Sequence, residues 1–244
     1  MSSGAGGGER LNRFLARRGV ASRRSADNLI AAGRVRINGI VARVGAKVDS
    51  NVDAVVIDGA RVPPELPAAQ TLALNKPAGV VTTMHDTHGR RTVSDLVPHV
   101  PGIAPIGRLD ADSRGLLLLT TDGELAHRVA HPRHGVHKTY RVIPTSTLSD
   151  EQIGELLDGV MLEDGPARAL EVRRAGGAAV DVVMGEGRKR VVRRLLGAVG
   201  SGVVDLCRTG VGPVLLGDLP EGECRTLDSN EIDALNDAVR PPVG

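Results

Sequence analysis

The chain has 244 residues, of which 41% are hydrophobic and 25% are charged, so it can bury one large or two smaller cores and has the composition of a water-soluble protein. No apolar segment is long enough to span a bilayer, and the N-terminal sequence MSSGAGGGER lacks the hydrophobic segment of a signal peptide. Cys207 and Cys224 are too few for a disulfide framework. We therefore expect a cytoplasmic protein without a membrane partner, in which residues 1–9 form a flexible tail.

The charge is unevenly distributed along the chain. The net charge is only +2, but residues 9–47 contain ten Lys or Arg and two acidic residues, so the rest of the chain is net negative. Such a basic segment indicates a polyanionic partner, with a solvated basic surface as the alternative. The chain has no Trp, one Phe and one Tyr (Tyr140), too few rings for a platform that stacks several bases, although one tyrosine can serve a single base.

Residues 10–60 are predicted to form a small domain of two helices and a hairpin. Leu11, Phe14 and Leu15 lie on one face of the first helix. Ser22 is suited to cap the second helix. The pair Asn38-Gly39 is typical of a tight hairpin turn, because both residues tolerate positive φ.

Residues 10–42, RLNRFLARRGVASRRSADNLIAAGRVRINGIVA, resemble the small RNA-binding domain first recognised in a ribosomal protein of the small subunit. In that family the helices and the hairpin hold structured RNA by its phosphates. The resemblance assigns these contacts to six arginines: Arg13, Arg17, Arg18, Arg23, Arg24 and Arg34. Guanidinium groups suit phosphate oxygens, and such contacts position RNA without reading its sequence.

Residues 61–70, RVPPELPAAQ, are rich in proline and are predicted to be a linker to a second domain, residues 71–240. In that domain TLALNKPAGVVTT predicts a strand, a turn at Lys76-Pro77 and a second strand, and GLLLLTTDG predicts a buried strand. HKTYRVIP and AAVDVVMGEG are also strand-like, whereas SDEQIGELLDG and RKRVVRRLLGAVG are helix-like. The predicted fold class is α+β, with the small helix-helix-hairpin domain followed by a larger domain built on a mixed, mostly antiparallel sheet.

The segment GRLDADSRGLLLLT, residues 107–120, places Arg108 and Asp110 just before a run of leucines. From the residues alone, Asp110 is a turn residue, a structural ion-pair partner of Arg108 or a catalytic carboxylate. An arginine beside the carboxylate would keep it ionised, as a nucleophile requires.

Four histidines, His127, His131, His134 and His137, follow at spacings of four, three and three. No acid or cysteine lies among them and Pro132 interrupts the helix, so we expect histidines that are exposed or contact RNA, and no metal site.

A third motif, EGRKRVVRRLLGAVG at residues 186–200, crowds basic residues at the start of a helix. Since positive charge there opposes the helix dipole, we expect a phosphate or a buried carboxylate to compensate it. The alternative is a solvated helix face.

Together, GRLDADSRGLLLLTTDGELAHRVAHP, HKTYRV and EGRKRVVRRLLGAVG resemble, in order and spacing, the ribosomal RNA pseudouridine synthases that carry a small N-terminal RNA-binding domain. The resemblance implies a mixed-sheet catalytic core that needs no cofactor and no metal. It assigns three catalytic residues, namely Asp110 as the essential carboxylate, Tyr140 as the ring that stacks on the target base and Arg193 as the basic partner of the aspartate. Arg108 and Arg190 are assigned to RNA binding. Val191 departs from the family, which usually has Gln or Glu there.

The reaction implied detaches uracil from ribose, turns it and rejoins it through carbon, after the uridine has been extruded from its helix or loop. Asp110 would attack the ring or the ribose, or act as the base that forms a glycal. The partner implied is ribosomal RNA or a pre-ribosomal particle, and His131-Pro132 favours large-subunit over small-subunit rRNA. We expect a monomer. The alternatives are a non-catalytic RNA-binding or ribosome-assembly protein, and a carboxylate hydrolase, which would usually need a second carboxylate.

Overall fold

The computed structural model describes residues 8–63 and 68–239. The chain divides into two units, one of Met1–Gln70, His99–Ala104 and Thr120–Gly123, the other of Thr71–Pro98, Pro105–Leu119 and Glu124–Gly244. Among the described residues, no helix has the length and apolarity needed to cross a membrane.

The N-terminal part of the first unit contains two helices and two small antiparallel sheets. The elements are β1 (Glu9–Arg10), α1 (Leu11–Arg17), α2 (Arg23–Ala31), β2 (Val35–Ile37), β3 (Ile40–Val41), β4 (Lys47–Val48), β5 (Val55–Ile57) and β6 (Ala60–Arg61). The sheet orders are β3-β2-β5-β6 and β1-β4.

Local sequence signals explain this part of the fold. The predicted face of α1 is buried, with Leu11, Phe14 and Leu15 at most 2% exposed. The Ser22 hydroxyl accepts a hydrogen bond from the backbone N–H of Ser25 and caps α2. Asn38, with φ 51°, and the glycine after it form the predicted hairpin turn between β2 and β3.

Two predicted boundaries differ from the structure. Glu9 belongs to β1, because it pairs with Val48, so the predicted tail of residues 1–9 extends too far; residues 1–7 lie outside the described residues. Arg61 pairs with Val56 and belongs to the sheet rather than to the predicted linker, of which residues 64–67 lie outside the described residues.

The rest of the chain supplies four helices and a large sheet within its described residues. The helices are α3 (Gly123–Ala130), α4 (Asp150–Asp158), α5 (Val191–Ala198) and α6 (Ser229–Ala238). The strands are β7 (Thr71–Lys76), β8 (Ala104–Pro105), β9 (Arg114–Thr120), β10 (Lys138–Pro144), β11 (Val160–Leu162), β12 (Gly165–Ala167), β13 (Glu171–Arg174), β14 (Val180–Met184), β15 (Val203–Val211), β16 (Val214–Leu215) and β17 (Cys224–Thr226).

The large sheet has the order β13-β14-β10-β15-β9-β7-β17. It is mixed, because β9 and β15 run parallel, whereas β10 is antiparallel to both of its neighbours and β7 is antiparallel to β17. This confirms the predicted fold class. The four leucines Leu116–Leu119 of β9 are fully buried, as expected of a strand covered on both faces.

The second strand predicted within TLALNKPAGVVTT is wrong. After β7 the chain turns, and Val81 makes only an isolated bridge to Thr92. The turn predicted at Lys76-Pro77 is present, and within it the Lys76 ammonium donates hydrogen bonds to the carbonyl oxygens of Pro77 at 2.7 Å and Val80 at 2.8 Å. The residues that follow the turn do not form the second strand.

Candidate active site

A cavity of about 270 Å³ opens in the second unit. It is lined by residues of the loop before β9, the end of α3, strands β10 and β15, and the start of α5. Both Asp110 and Tyr140 line it, although they are thirty residues apart in the chain. Five of the other lining residues are Arg108, Lys138, Lys189, Arg190 and Arg208. The cavity thus combines one carboxylate and one ring with several cationic groups.

The loop that carries Asp110 is held by its neighbours. The Thr82 hydroxyl donates to the Leu109 carbonyl oxygen at 2.6 Å and accepts from the Leu109 N–H at 3.2 Å. The N–H of Gly79 donates to the carbonyl of Ala111 at 2.7 Å. Leu109 is buried, whereas Arg108 is exposed and Asp110 is partly buried. Asp110 therefore lies at the wall of the cavity on a braced loop.

Tyr140 lies in the middle of the sheet. Its strand, β10, pairs with β14 and β15, and Tyr140 is in register with Val182 on one side and with Arg208 on the other. The side chain is 8% exposed. A ring fixed in this way is suited to stack on one base, as the resemblance implies.

Arg208 is a buried cation where β9 and β15 separate. The two strands pair only at Arg114 and Gly115, and beyond that point the Arg208 Nε donates to the Leu116 carbonyl oxygen at 2.7 Å. Its Nη1 lies 3.5 Å from the carbonyl oxygen of Arg108, and the side chain is only 4% exposed. One arginine thus satisfies a carbonyl that the splayed sheet leaves unpaired and contacts the loop that carries Asp110.

Arg193 does not have the partner that was expected. Within the described part of the chain, Arg193 forms no ion pair with Asp110. Its Nε lies 3.5 Å from the Asp112 carboxylate, and its Nη2 donates a hydrogen bond to the Asp112 main-chain carbonyl at 2.9 Å. Its Nη1 donates to the carbonyl of Val203. Two main-chain contacts hold the guanidinium beside the cavity wall rather than against Asp110.

Carboxylates compensate the basic start of α5, but they are not the buried carboxylate that was expected, since the side chains of Asp112 and Asp164 are 47% and 46% exposed. Arg190 binds Asp112 at 2.9 Å, and Arg194 and Arg188 both bind Asp164 at 2.8 Å. Arg190 has positive φ (52°), a conformation that costs free energy for any residue with a β-carbon. Burial opposes ionisation of Asp112, but the hydrogen bond from Arg190 and the charge of Arg193 outweigh it and lower the pKa of that carboxyl.

Sequence reasoning missed three residues of this site: Asp112, Lys138 and Arg208. Lys138 precedes Tyr140 by two residues in a predicted strand, so alternation alone would have placed both on one face. The one sequence signal for Arg208 is its position as a charged residue within a largely hydrophobic strand. Asp112 lies two positions after Asp110, and its partners come from a helix about eighty residues later.

Three of the four histidines, His127, His131 and His134, lie close together, with His127 and His131 exposed and His134 partly buried. The rings of His127 and His131 are 5.1 Å apart and those of His131 and His134 are 6.2 Å apart, centroid to centroid. Helix α3 ends at Ala130, before Pro132. Among the described residues, no group of three His, Cys, Asp or Glu side chains has the arrangement needed to hold a metal ion.

The six candidate arginines of the first unit differ in their surroundings. Arg23 and Arg24 are exposed, and Arg13 is partly buried. Arg17 forms an ion pair with Glu9, and Arg34 with Asp58. The Arg18 side chain is only 4% exposed, because its guanidinium packs 3.6 Å from the centroid of the Phe14 ring. In this conformation the guanidinium of Arg18 is used inside the domain, and it is the least accessible of the three neighbouring arginines Arg17, Arg18 and Arg23.

The fold and this cavity define an enzyme that acts on RNA, and the chain belongs to the RNA pseudouridylate synthase family, whose model matches residues 70–198. Residues 9–53 match the S4 domain. The chain is an RNA pseudouridine synthase with an RNA-binding S4 domain, as the sequence resemblance predicted.

Relatives cover nearly the whole chain. An RNA pseudouridine synthase of Mycobacterium tuberculosis is 45% identical over 95% of this chain and 94% of its own length. The ribosomal large subunit pseudouridine synthase B of Pseudomonas aeruginosa is 43% identical over 95% of this chain and 63% of its own length, and that of Vibrio cholerae is 42% identical over 95% and 75%. A crystal structure of a pseudouridylate synthase is 30% identical, with a TM-score of 0.68 over 93% of this chain and 99% of that one.

Proposed function

We propose that this enzyme isomerises uridine to pseudouridine in the 23S rRNA of the large ribosomal subunit, with Asp110 as the essential carboxylate. The observation that carries the proposal is that Asp110 and Tyr140 line one cavity of the second unit together with a set of cationic side chains. The choice of rRNA is supported by the names of the relatives from Pseudomonas aeruginosa and Vibrio cholerae, which are large-subunit enzymes.

The proposal gives Tyr140, Asp110 and Arg193 separate roles. Tyr140 stacks on the extruded uracil, and Asp110 attacks the ring or the ribose, or removes a ribose proton. The bond between N1 and C1′ breaks and a bond between C5 and C1′ forms, so that C5 loses a proton and N1 gains one. Arg193 acts in the same step as the basic partner of Asp110, after giving up the contacts to Asp112 and Val203 that hold it in the RNA-free protein.

RNA binding is divided between the two units. In the second unit, the exposed side chains of Arg108 and Arg190 line the cavity and are suited to the phosphates beside the target nucleotide. In the first unit, Arg23 and Arg24 are exposed at the start of α2 and serve as sequence-independent contacts. We further propose that the enzyme works as a monomer in the cytoplasm, on rRNA or a pre-ribosomal particle, without a metal or cofactor.

The test compares pseudouridine positions in both rRNAs with and without the protein. Carbodiimide treatment followed by primer extension should show one or a few 23S stops that disappear on gene deletion and return on complementation with the wild-type gene. Complementation with Asp110→Asn should fail, while the purified variant binds rRNA within about twofold of wild type, since only the reacting group is altered. A lost stop in 16S rRNA would overturn the choice of substrate, and an active Asp110→Asn variant would overturn the role of Asp110.

A further inference from the structure

Two cations lie next to Tyr140 on the same side of the sheet. Lys138 precedes Tyr140 by two residues in β10, and Arg208 is in register with Tyr140 on the neighbouring strand β15. Because side chains alternate along a strand, Lys138 and Tyr140 point to the same face. All three side chains line the cavity that also contains Asp110.

Neither cation has an anionic partner within the described part of the chain. The Lys138 ammonium has no hydrogen-bond acceptor and no carboxylate there. The Nη2 of Arg208 is buried without an acceptor, while its other nitrogens reach only main-chain carbonyls. By contrast, Arg114 and Arg141, in the same sheet, bind Asp205 and Asp181.

An uncompensated cation in a partly buried position is unfavourable, and Lys138 shows this. Burial, and then the charge of Arg208, lower the pKa of the Lys138 ammonium from 10.5 to about 8. A negative charge that entered the cavity would offset this cost. The cavity is therefore arranged for a ligand that becomes anionic next to the tyrosine ring.

The reaction supplies such a charge on the uracil ring. If Asp110 adds to C6, the displaced electron pair moves through C5 and C4 onto O4. If instead the bond between N1 and C1′ breaks first, its electron pair stays on the ring and is shared between O2 and O4. Under either route the charge appears at a carbonyl oxygen on the edge of the stacked base, and it is lost again when C1′ bonds to C5 and the C5 proton leaves.

We propose that Lys138, with Arg208 behind it, binds a carbonyl oxygen of the target uracil and stabilises the negative charge that develops there. This proposal rests on the proposed function and adds a catalytic residue to it. Because the charge is larger in the transition state than in the substrate, the interaction raises kcat more than it lowers KM. Contacts to phosphates fall to Arg108, Lys189 and Arg190, which are exposed where they line the cavity.

The first experiment measures the initial rate of multiple-turnover tritium release from RNA that carries [5-³H]uridine, over a series of RNA concentrations. Lys138→Met should lower kcat by about 100-fold with KM within about twofold, and Lys138→Arg should recover at least about tenfold of that loss. Arg141→Met, on the same strand but exposed and bound to Asp181, is the matched control and should be unaffected. A raised KM with unchanged kcat in Lys138→Met would indicate a phosphate contact and overturn the proposal.

The pH profile separates this role from a structural one. Wild-type kcat/KM should fall as the pH rises through about 8, because the free enzyme loses the Lys138 proton there. Lys138→Arg stays charged and should lack this fall up to pH 9.5. The same fall in both proteins would count against Lys138.

A second measurement does not depend on activity towards RNA. At pH 7.5 5-nitrouracil is a ring anion, whereas uracil is neutral. In NMR titrations the wild-type protein should prefer the anion, and folded Lys138→Met should lose this preference. No preference in the wild type, or an unchanged one in the variant, would overturn the proposal. A wild-type protein that prefers the anion but forms no pseudouridine would overturn the proposed function alone.

Discussion

Arg193 donates a hydrogen bond from Nη2 to the main-chain carbonyl of Asp112 at 2.9 Å and places Nε 3.5 Å from the carboxylate of the same residue. Arg190 binds that carboxylate at 2.9 Å. One carboxylate, two positions after the proposed catalytic aspartate, is thus shared by two arginines at the start of α5. The contact of Arg193 to the main chain does not depend on the Asp112 side chain, whereas the ion pairs do.

Asp112→Asn is therefore expected to strengthen RNA binding. The variant keeps the carbonyl that positions Arg193 and frees the guanidinium group of Arg190 for a phosphate, so affinity should rise about three- to tenfold at low salt, and the dependence of log K on log salt should steepen by about one. Since both partners of the Arg190 pair are more than 40% exposed, stability should change by less than about 1 kcal/mol.

The control for this prediction is Asp150→Asn, which makes the same charge change at an exposed carboxylate bound to Arg174. Filter binding across a salt series distinguishes the two variants. Equal affinities for Asp112→Asn and wild type would show that Arg190 does not meet a phosphate.

Local and non-local features of this protein were not equally predictable. The helix face of Leu11, Phe14 and Leu15 and the hairpin turn at Asn38 depend on residues a few positions apart, so the sequence indicated them correctly. Asp110 could be singled out only through the family motif, because local pattern leaves several roles open to an aspartate in a turn.

The partners of the site residues could not be predicted, because they come from distant segments. Arg208 reaches Tyr140 only when β15 pairs with β10, and Arg193 reaches Asp112 only when α5 packs near the loop before β9. The turn predicted at Lys76-Pro77 is present, but the second strand predicted after it is not, since Val81 makes only an isolated bridge to the distant Thr92.

The salt dependence of RNA binding should reveal the role of the S4 domain. Arg23 and Arg24 are exposed, so reversing both to glutamate should leave the domain folded, weaken rRNA binding by about tenfold or more near 0.1 M salt and reduce the slope against log salt by about two. Arg61→Glu, an exposed reversal on β6, is the comparison. An unchanged slope in the double variant would mean that these arginines do not meet phosphates.

Arg18 should behave differently from its exposed neighbours. Its guanidinium packs over Phe14 and its Nε donates to the carbonyl of Pro63 at 2.9 Å. Arg18→Ala should therefore lower the free energy of unfolding of the first unit by about 1–2 kcal/mol, through lost packing and a lost hydrogen bond. Arg24→Ala should not. Urea titration followed by circular dichroism measures both, and equal stability of the two variants would contradict the packing role.

Gly115 is required where β9 meets β15. It has φ of 102°, and a β-carbon there would lie 2.3 Å from the carbonyl oxygen and 2.6 Å from the nitrogen of Arg208. Gly115→Ala should cost about 3 kcal/mol or more, because main-chain atoms cannot move aside, and should reduce soluble expression. Gly123→Ala, where nothing lies within 4 Å of the new carbon, should be neutral or slightly stabilising. A soluble Gly115→Ala protein with wild-type melting temperature would refute this reading of the strand crossing.

The buried ammonium of Lys76 should make stability depend on pH. Burial lowers the pKa of Lys76 from 10.5 to about 8, although the nearby charge of Asp112 opposes this. Below pH 8 the folded and unfolded states both carry the proton, so the cost of burying the charge is present in full. Between pH 8 and 10.5 the folded protein releases the proton and the unfolded chain keeps it, so the free energy of unfolding should rise with pH, by up to about 3 kcal/mol.

Other groups titrate in this range, so the measured quantity is the difference in the free energy of unfolding between wild type and variants, from urea titrations at pH 7 to 10. Lys76→Met has no titrating group at this position, and Lys76→Arg stays charged throughout, so both should lack this contribution. A slope equal to that of wild type in both variants would show that Lys76 does not titrate in this range, and that the two carbonyls of its turn hold a fully charged ammonium.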